Sequence, residues 1–121
     1  MAPGDTNVGS RPKRIAALND ALRHEPATGT NGRVMITAGV GAHGPEFVAR
    51  ALVAVAAFDR FTADNDPYGE HDFGAFELDH ERLFFKLDYF EKGSGYSAGA
   101  ETPENPDTTE RVLTIMLADE Y

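Results

Sequence analysis

Residues 76–90 alternate apolar and polar side chains with a period of two, and this pattern predicts two antiparallel strands joined by a tight turn. The first strand carries Phe76 and Leu78, and the turn falls at Asp79-His80, where Asp tolerates a positive φ. One face of the return strand carries Leu83, Phe85, Leu87 and Tyr89, and the other carries Phe84, Lys86, Asp88 and Phe90. We therefore expect a hairpin with one buried face.

Two helices are predicted on the N-terminal side of this hairpin. The first begins at Pro12, and its apolar face is formed by Ile15, Leu18 and Leu22, which lie three and four residues apart. The second is an Ala-rich segment over 45–59, with a proline at its first turn, where the missing N–H costs nothing. We expect both helices to pack on the sheet.

Two further strands are predicted from short apolar segments. Residues 34–38 are β-branched and apolar and lie between Gly32 and Gly39. The segment 111–117 is nearly apolar on both sides, which is typical of a central strand. The resulting order is α-β-α-β-β-β. It predicts an α+β two-layer sandwich with the helices on one face of a mainly antiparallel four-stranded sheet.

The length of 121 residues corresponds to a single domain. Residues 1–11 are rich in Gly, Pro and polar side chains and are expected to be a disordered tail, followed by one α+β domain over 12–121. The chain has no cysteine, which excludes disulfides and thiolate metal sites. It also lacks an apolar run of the ~20 residues that span a bilayer. We expect a cytoplasmic protein that does not associate with membranes.

The charge is strongly acidic and unevenly distributed. The net charge is −9, and residues 34–121 hold 17 acidic and six basic side chains. Such a field repels nucleic acid, so we expect no direct nucleic-acid binding. It favours cations or a basic protein partner, and the alternative is that it serves solubility alone.

The loop between the second helix and the hairpin concentrates acidic residues around Pro67 and Gly69. Candidate metal ligands are Asp64, Asp66, Glu70 and Asp72. Oxygen donors beside a glycine turn are typical of calcium loops, but Pro67 and the absence of a bidentate Glu depart from the EF-hand pattern. The alternative is structural, because Asp and Asn side chains bind nearby backbone N–H groups in turns. A divalent cation is the only cofactor suggested by the sequence.

The triplet Glu70-His71-Asp72 places an imidazole between two carboxylates, which is a possible general base. These three residues are the catalytic candidates. If the backbone is extended, residues 70 and 72 face one side and residue 71 faces the other, and one side enters the core. A structural histidine is the alternative.

Gly39, Gly41 and Gly44 match the spacing of a dinucleotide-binding loop between a strand and a helix. The chain continues into a hairpin instead of a second parallel strand, so we interpret the segment as a flexible connection. The aromatic residues of 84–90 have too few basic neighbours for a nucleic-acid stacking platform, and core packing is the better interpretation.

The segments DNDPYGEHDFG (64–74) and RVLTIMLADEY (111–121) resemble a small bacterial family of domains of unknown function. The resemblance runs from about Ile15 to Tyr121. Members of such a family are often carried on plasmids and other mobile elements, beside conjugation and defence genes. The resemblance implies no established activity, so it transfers no catalytic residue.

Two functions follow from these observations. The preferred hypothesis is a non-enzymatic accessory protein that engages a basic protein partner, with a regulatory or anti-defence role on a mobile element. The alternative is a metal-dependent or acid–base enzyme that uses the loop 64–72. The sequence does not predict an oligomeric state.

Overall fold

The computed structural model describes residues 10–26 and 32–121, so residues 1–9 of the predicted tail lie outside the described residues. These described residues form three α-helices, four strands and a 3-10 helix after the last strand. They are α1 (Arg11–His24), β1 (Arg33–Ile36), α2 (Ala38–Gly41), α3 (Pro45–Ala57), β2 (Phe73–Leu78), β3 (Glu81–Glu91), β4 (Thr109–Leu117) and the 3-10 helix (Ala118–Glu120). This arrangement confirms the predicted α+β class, and α2 is an addition to the predicted order. None of the described helices is long and apolar enough to cross a membrane.

The four strands form one mixed sheet in the order β1-β4-β3-β2. β2 pairs antiparallel with β3, and β3 pairs antiparallel with β4. β1 pairs parallel with β4, and the chain between these two strands forms α2, α3, β2 and β3. The last strand therefore lies inside the sheet, as its apolar sequence predicts.

The hydrophobic core lies between the helices and one face of the sheet. Helix α1 contributes Leu22, and α3 contributes Phe47, Ala51 and Val55. The sheet contributes Phe76, Leu83, Phe85, Leu87, Leu113 and Ile115. The alternation predicted for the hairpin is therefore confirmed, since the odd-numbered residues from 83 to 87 are buried.

No α-helix within residues 10–26 and 32–121 covers the opposite face of the sheet, although Val112 and Met116 on it are buried. The alternate residues of the strands lie there: Arg33, Met35, Phe73, Phe84, Lys86, Asp88, Phe90, Val112, Thr114 and Met116. Met35 is 47% exposed on this face. Phe84 also packs against Phe73 and the C-terminal Tyr121, with ring centroids 5.1 and 5.6 Å away. The domain thus presents aromatic side chains on the uncovered face.

The hairpin turn has the predicted two-residue form. Asp79 and His80 both have positive φ, 52° and 67°, as a type I′ turn requires. Arg50 of α3 donates a hydrogen bond of 3.0 Å to Asp79. The turn is thereby attached to the helical layer.

The segment after β1 differs from the prediction of an extended strand and a flexible connection. Residues 38–41 form α2, whose Gly39 N–H donates to the Glu120 carboxylate at 2.8 Å. Thr37 donates its hydroxyl to the same carboxylate at 2.6 Å, and these bonds hold the pKa of Glu120 below its usual range. A Cβ at Gly39 would lie 2.6 Å from this carboxylate. The chain's own C-terminal region therefore occupies the position where a phosphate would bind.

The long loop after β3 is attached to the sheet at several points. Glu91 N–H donates to Ala98 at 2.8 Å, and Ala100 N–H donates to Tyr89 at 3.1 Å. The Thr109 hydroxyl donates to the carbonyl of Thr102. Backbone bonding that only the folded sheet can supply thus orders this loop.

Candidate functional site

The acidic loop between α3 and β2 is built from two turns in which side chains bind the backbone. Asn65 accepts a hydrogen bond from Thr62 N–H at 2.9 Å and donates to the carbonyl of Arg60 at 2.9 Å. Asp66 is buried and accepts from the N–H groups of Glu70 and His71 at 3.0 and 3.2 Å. The carboxylate of Asp66 therefore acts as an internal cap for the turn.

His71 adopts a left-handed backbone conformation, with φ of 58°, at the end of this loop. The backbone is therefore not extended at this position, and the alternation that an extended backbone would give does not apply to residues 70–72. The imidazole Nδ1 lies 3.0 Å from a carboxylate oxygen of Asp20 in α1, and Nε2 lies 3.9 Å from Asp66. The ring also stacks on Phe61, with centroids 4.0 Å apart and planes 3° apart. His71 thus joins the loop to the first helix.

Arg23 supports the same junction from inside. It is 2% exposed and donates to Asp20 at 2.8 Å and to the carbonyl of Phe58 at 3.1 Å. Its guanidinium lies 5.2 Å from the ring centroid of Phe61. Because a buried guanidinium is stable only when it is paired, these contacts bind α1 to the end of α3.

A second buried network connects the loop to the sheet. Asn19 is fully buried and donates to the carbonyl of Glu70 at 3.0 Å and to the Tyr89 hydroxyl at 2.9 Å. Tyr89 in turn donates to the Glu70 carboxylate at 3.0 Å, and burial raises the pKa of Tyr89. Arg111 Nε donates to Asn19 at 2.8 Å, and burial lowers the pKa of Arg111. Glu70 is therefore held by internal donors.

The remaining acidic candidates lie in different environments. Asp64 is exposed, while Asp72 is half-buried at the start of β2. Burial raises the pKa of Asp72, and the carboxylates of Glu70, Asp66 and Asp88 raise it further. Asp72 thus lies among like charges, and these charges make its ionised form costly.

The four predicted metal ligands do not form a coordination cluster. In the described part of the chain, no group of three or more His, Asp or Glu side chains is arranged to hold a metal ion. Asp66 and Glu70 already accept hydrogen bonds from the protein. Metal binding remains a prediction that a melting experiment tests.

Sequence reasoning missed the partners of these residues, namely Asn19, Asp20, Arg23, Tyr89 and Arg111. A signal existed for two of them. Asn19 lies four residues after Ile15 and three before Leu22, on the apolar face of α1. Arg111 alternates with Leu113 and Ile115 on the buried face of β4. Polar residues at core positions indicate a buried network, but the pattern does not name the partners.

Two shallow grooves flank His71. One, of about 600 Å³, lies between α1 and the loop and is lined by Lys13, Ala17, Tyr68 and His71. The other, of about 300 Å³, is lined by Arg23, Phe58, Phe61 and again by His71. The imidazole is therefore accessible to solvent between two open surfaces and not enclosed in a deep pocket.

The chain belongs to the family described as Protein of unknown function (DUF3768), which matches residues 36–120. The match starts later than the expected Ile15, so it covers His71 but not its partner Asp20. Comparison with curated proteins and with solved structures gave no significant match. The family relationship therefore supplies no activity, and the function has to be inferred from the geometry.

Proposed function

We propose that this member of the family is a non-enzymatic interaction protein whose acidic surface binds a basic protein partner. The observation that carries the proposal is the state of Asp72. Burial is the largest cause of its raised pKa, and the charged neighbours that raise the pKa further are all carboxylates, those of Glu70, Asp66 and Asp88. A lysine or arginine of a partner would relieve this repulsion, so association would gain free energy that the isolated domain lacks.

The hydrogen bonds of the loop support a structural role for Asp66, Glu70 and His71, which are the side chains that resemble catalytic groups. Asp66 binds two backbone N–H groups, and Glu70 accepts from Tyr89. His71 is bonded to Asp20 and stacked on Phe61. An active site needs such groups directed at a substrate, whereas here they face one another within the fold.

The proposal includes a biological setting taken from the family resemblance. We suggest a cytoplasmic accessory protein of a mobile element that regulates a basic host or element protein, including a defence protein. Charge complementarity would speed the encounter and make it sensitive to salt.

The test is the binding of a fluorescent oligolysine peptide, measured by anisotropy at several salt concentrations. Asp72→Asn should lower the affinity about fivefold, or about 1 kcal/mol for one partly exposed ion pair. The matched control is Asp107→Asn, which removes the same charge from an exposed position. Equal losses in both variants would show that only net charge matters and would refute the proposed site.

An acid–base enzyme is the second candidate, and one observation favours it. Asp20 orients the imidazole of His71 through Nδ1 at 3.0 Å, an arrangement that general-base histidines use. If this pair is catalytic, Asp20→Asn and His71→Gln should each abolish an activity while the fold is retained. A panel of ester and phosphoester substrates tests this, and no turnover by the native chain would count against the enzyme.

A further inference from the structure

The uncovered face of the sheet contains a concave apolar site beside the proposed acidic surface. A cavity of about 250 Å³ is lined by Met35, Phe90, Tyr96, Val112 and Thr114, together with the charged residues Arg33 and Asp88. Val112 pairs with Arg33 on one side and with Asp88 on the other, so opposite charges lie at the two ends of this row. Pockets for drug-sized ligands have about 300 to 1,000 Å³. The cavity therefore suits a single large side chain better than a nucleotide.

Tyr96 forms the outer wall of this cavity. It follows Gly95 and has a φ of 67°, a conformation that bulky residues rarely adopt. Its ring meets the edge of Phe90 with centroids 5.4 Å apart, and the Arg33 guanidinium lies 5.7 Å from its centroid. Tyr96 nevertheless remains 44% exposed. The loop thus places the Tyr96 ring over the sheet, where a partner can contact its exposed side.

A second, acidic cavity shares the Tyr96 wall. It has about 130 Å³ and is lined by Glu91, Glu110, Gly93 and Gly95. Glu110 pairs with Phe90 on the uncovered face, whereas Glu91 pairs with Thr109 and alternates to the other face. Within residues 10–26 and 32–121, Glu110 is in no ion pair, whereas Lys86 on the same face is paired with Asp88 at 3.0 Å. An unpaired carboxylate, that of Glu110, therefore lies beside the apolar cavity.

We infer that the two cavities receive adjacent side chains of the basic partner, a large apolar residue against Met35 and a lysine or arginine against Glu110. This inference rests on the proposed function and specifies its docking surface. An apolar anchor in a pocket beside a polar rim is the usual anatomy of an interface. Arg33 lines the apolar cavity, and Asp88 there is already paired with Lys86, so this cavity offers a basic residue no free carboxylate.

Two labelled octapeptides of equal charge test the inference by fluorescence anisotropy. One alternates Leu and Lys, and the other alternates Ser and Lys. Because only the first supplies an apolar anchor, it should bind about tenfold more tightly. Met35→Gln should reduce this preference toward one, and Glu110→Gln should weaken both peptides. The matched controls are Val53→Gln on the exposed side of α3, where Val53 is 67% exposed, and Glu101→Gln.

The possible outcomes separate this inference from the proposed function. If both peptides bind the native chain equally, or if Met35→Gln behaves like Val53→Gln, the docking surface is wrong while the proposed function stands. If neither peptide binds, both fail. Tighter binding of a labelled single-stranded oligonucleotide than of the Leu–Lys peptide would also overturn the inference, because the aromatic face would then serve base stacking.

Discussion

Replacement of Asn19 by alanine tests whether the acidic loop is held in place by the buried network. Asn19 is 0% exposed and connects α1 to three parts of the fold. Its amide donates to the Glu70 carbonyl and to Tyr89, and its oxygen accepts from Arg111. The substitution therefore removes one side chain and leaves one buried and two part-buried groups without that partner.

The expected loss of stability can be estimated from these three bonds. A buried hydrogen bond contributes about 1 kcal/mol, and one to a charged donor such as Arg111 contributes about 1.5 to 3 kcal/mol. Alanine recovers about 0.5 kcal/mol through its higher helix propensity. The free energy of unfolding of Asn19→Ala should therefore fall by about 3 kcal/mol, a large fraction of the stability of a small domain.

The measurement is urea unfolding followed by circular dichroism. Lys13→Ala is the matched control on the exposed side of the same helix, and it should change stability by less than about 0.5 kcal/mol. Tyr89→Phe combined with Asn19→Ala should lose less than the sum of the single variants, because the two side chains share a bond. A loss below about 1 kcal/mol for Asn19→Ala would refute the view that this network holds the loop.

Two further predictions concern single residues, and a third concerns metal ions. Because the folded state raises the pKa of Asp72, its ionised form opposes folding, so Asp72→Asn should be more stable than the native chain at pH 7 by less than about 1 kcal/mol. In urea titrations this gain should shrink as the pH falls through the raised pKa and disappear below the ordinary value of 3.8; a constant gain would contradict it. Gly74→Ala should lower stability by about 1 to 3 kcal/mol, because its Cβ would overlap the ring of Phe85, whereas Gly99→Ala, with open space around it, should not. Thermal melting with Ca²⁺, Mg²⁺ or Mn²⁺ should show no stabilisation; a gain of about 2.7 kcal/mol at 100 times Kd would restore the metal hypothesis.

Local sequence patterns were sufficient for most of the secondary structure. The alternation over 76–90 predicts the hairpin, and its turn residues adopt the positive φ that the sequence suggests. The apolar composition of 111–117 predicts a central strand, which β4 is. Such patterns work because the residues of one buried face recur along the chain at a constant spacing, every second residue in a strand and about every 3.6 residues in a helix. They fail at 38–41, where the C-terminal Glu120 supplies the bonds that stabilise a helical turn.

The sequence indicates which residues form the candidate site, but it does not indicate which residues they contact. Asp66, Glu70 and His71 were identified as a group, and the sequence also suggested that such side chains could serve the turn itself. The partner of His71 is Asp20, 51 residues earlier in the chain, and the partner of Glu70 is Tyr89 on β3. No local period links residues at such separations, so these pairs exist only after the helix packs on the sheet.

The amino-acid order thus specifies an acidic α+β domain, its strands and the loop that gathers its carboxylates, because these depend on neighbours along the chain. Folding assigns the roles of those groups. It satisfies Asp66 and Glu70 internally, leaves Asp72 among like charges, and places Tyr96 over the uncovered face of the sheet. The reason is physical: burial and pairing of a polar group depend on which distant surface closes over it.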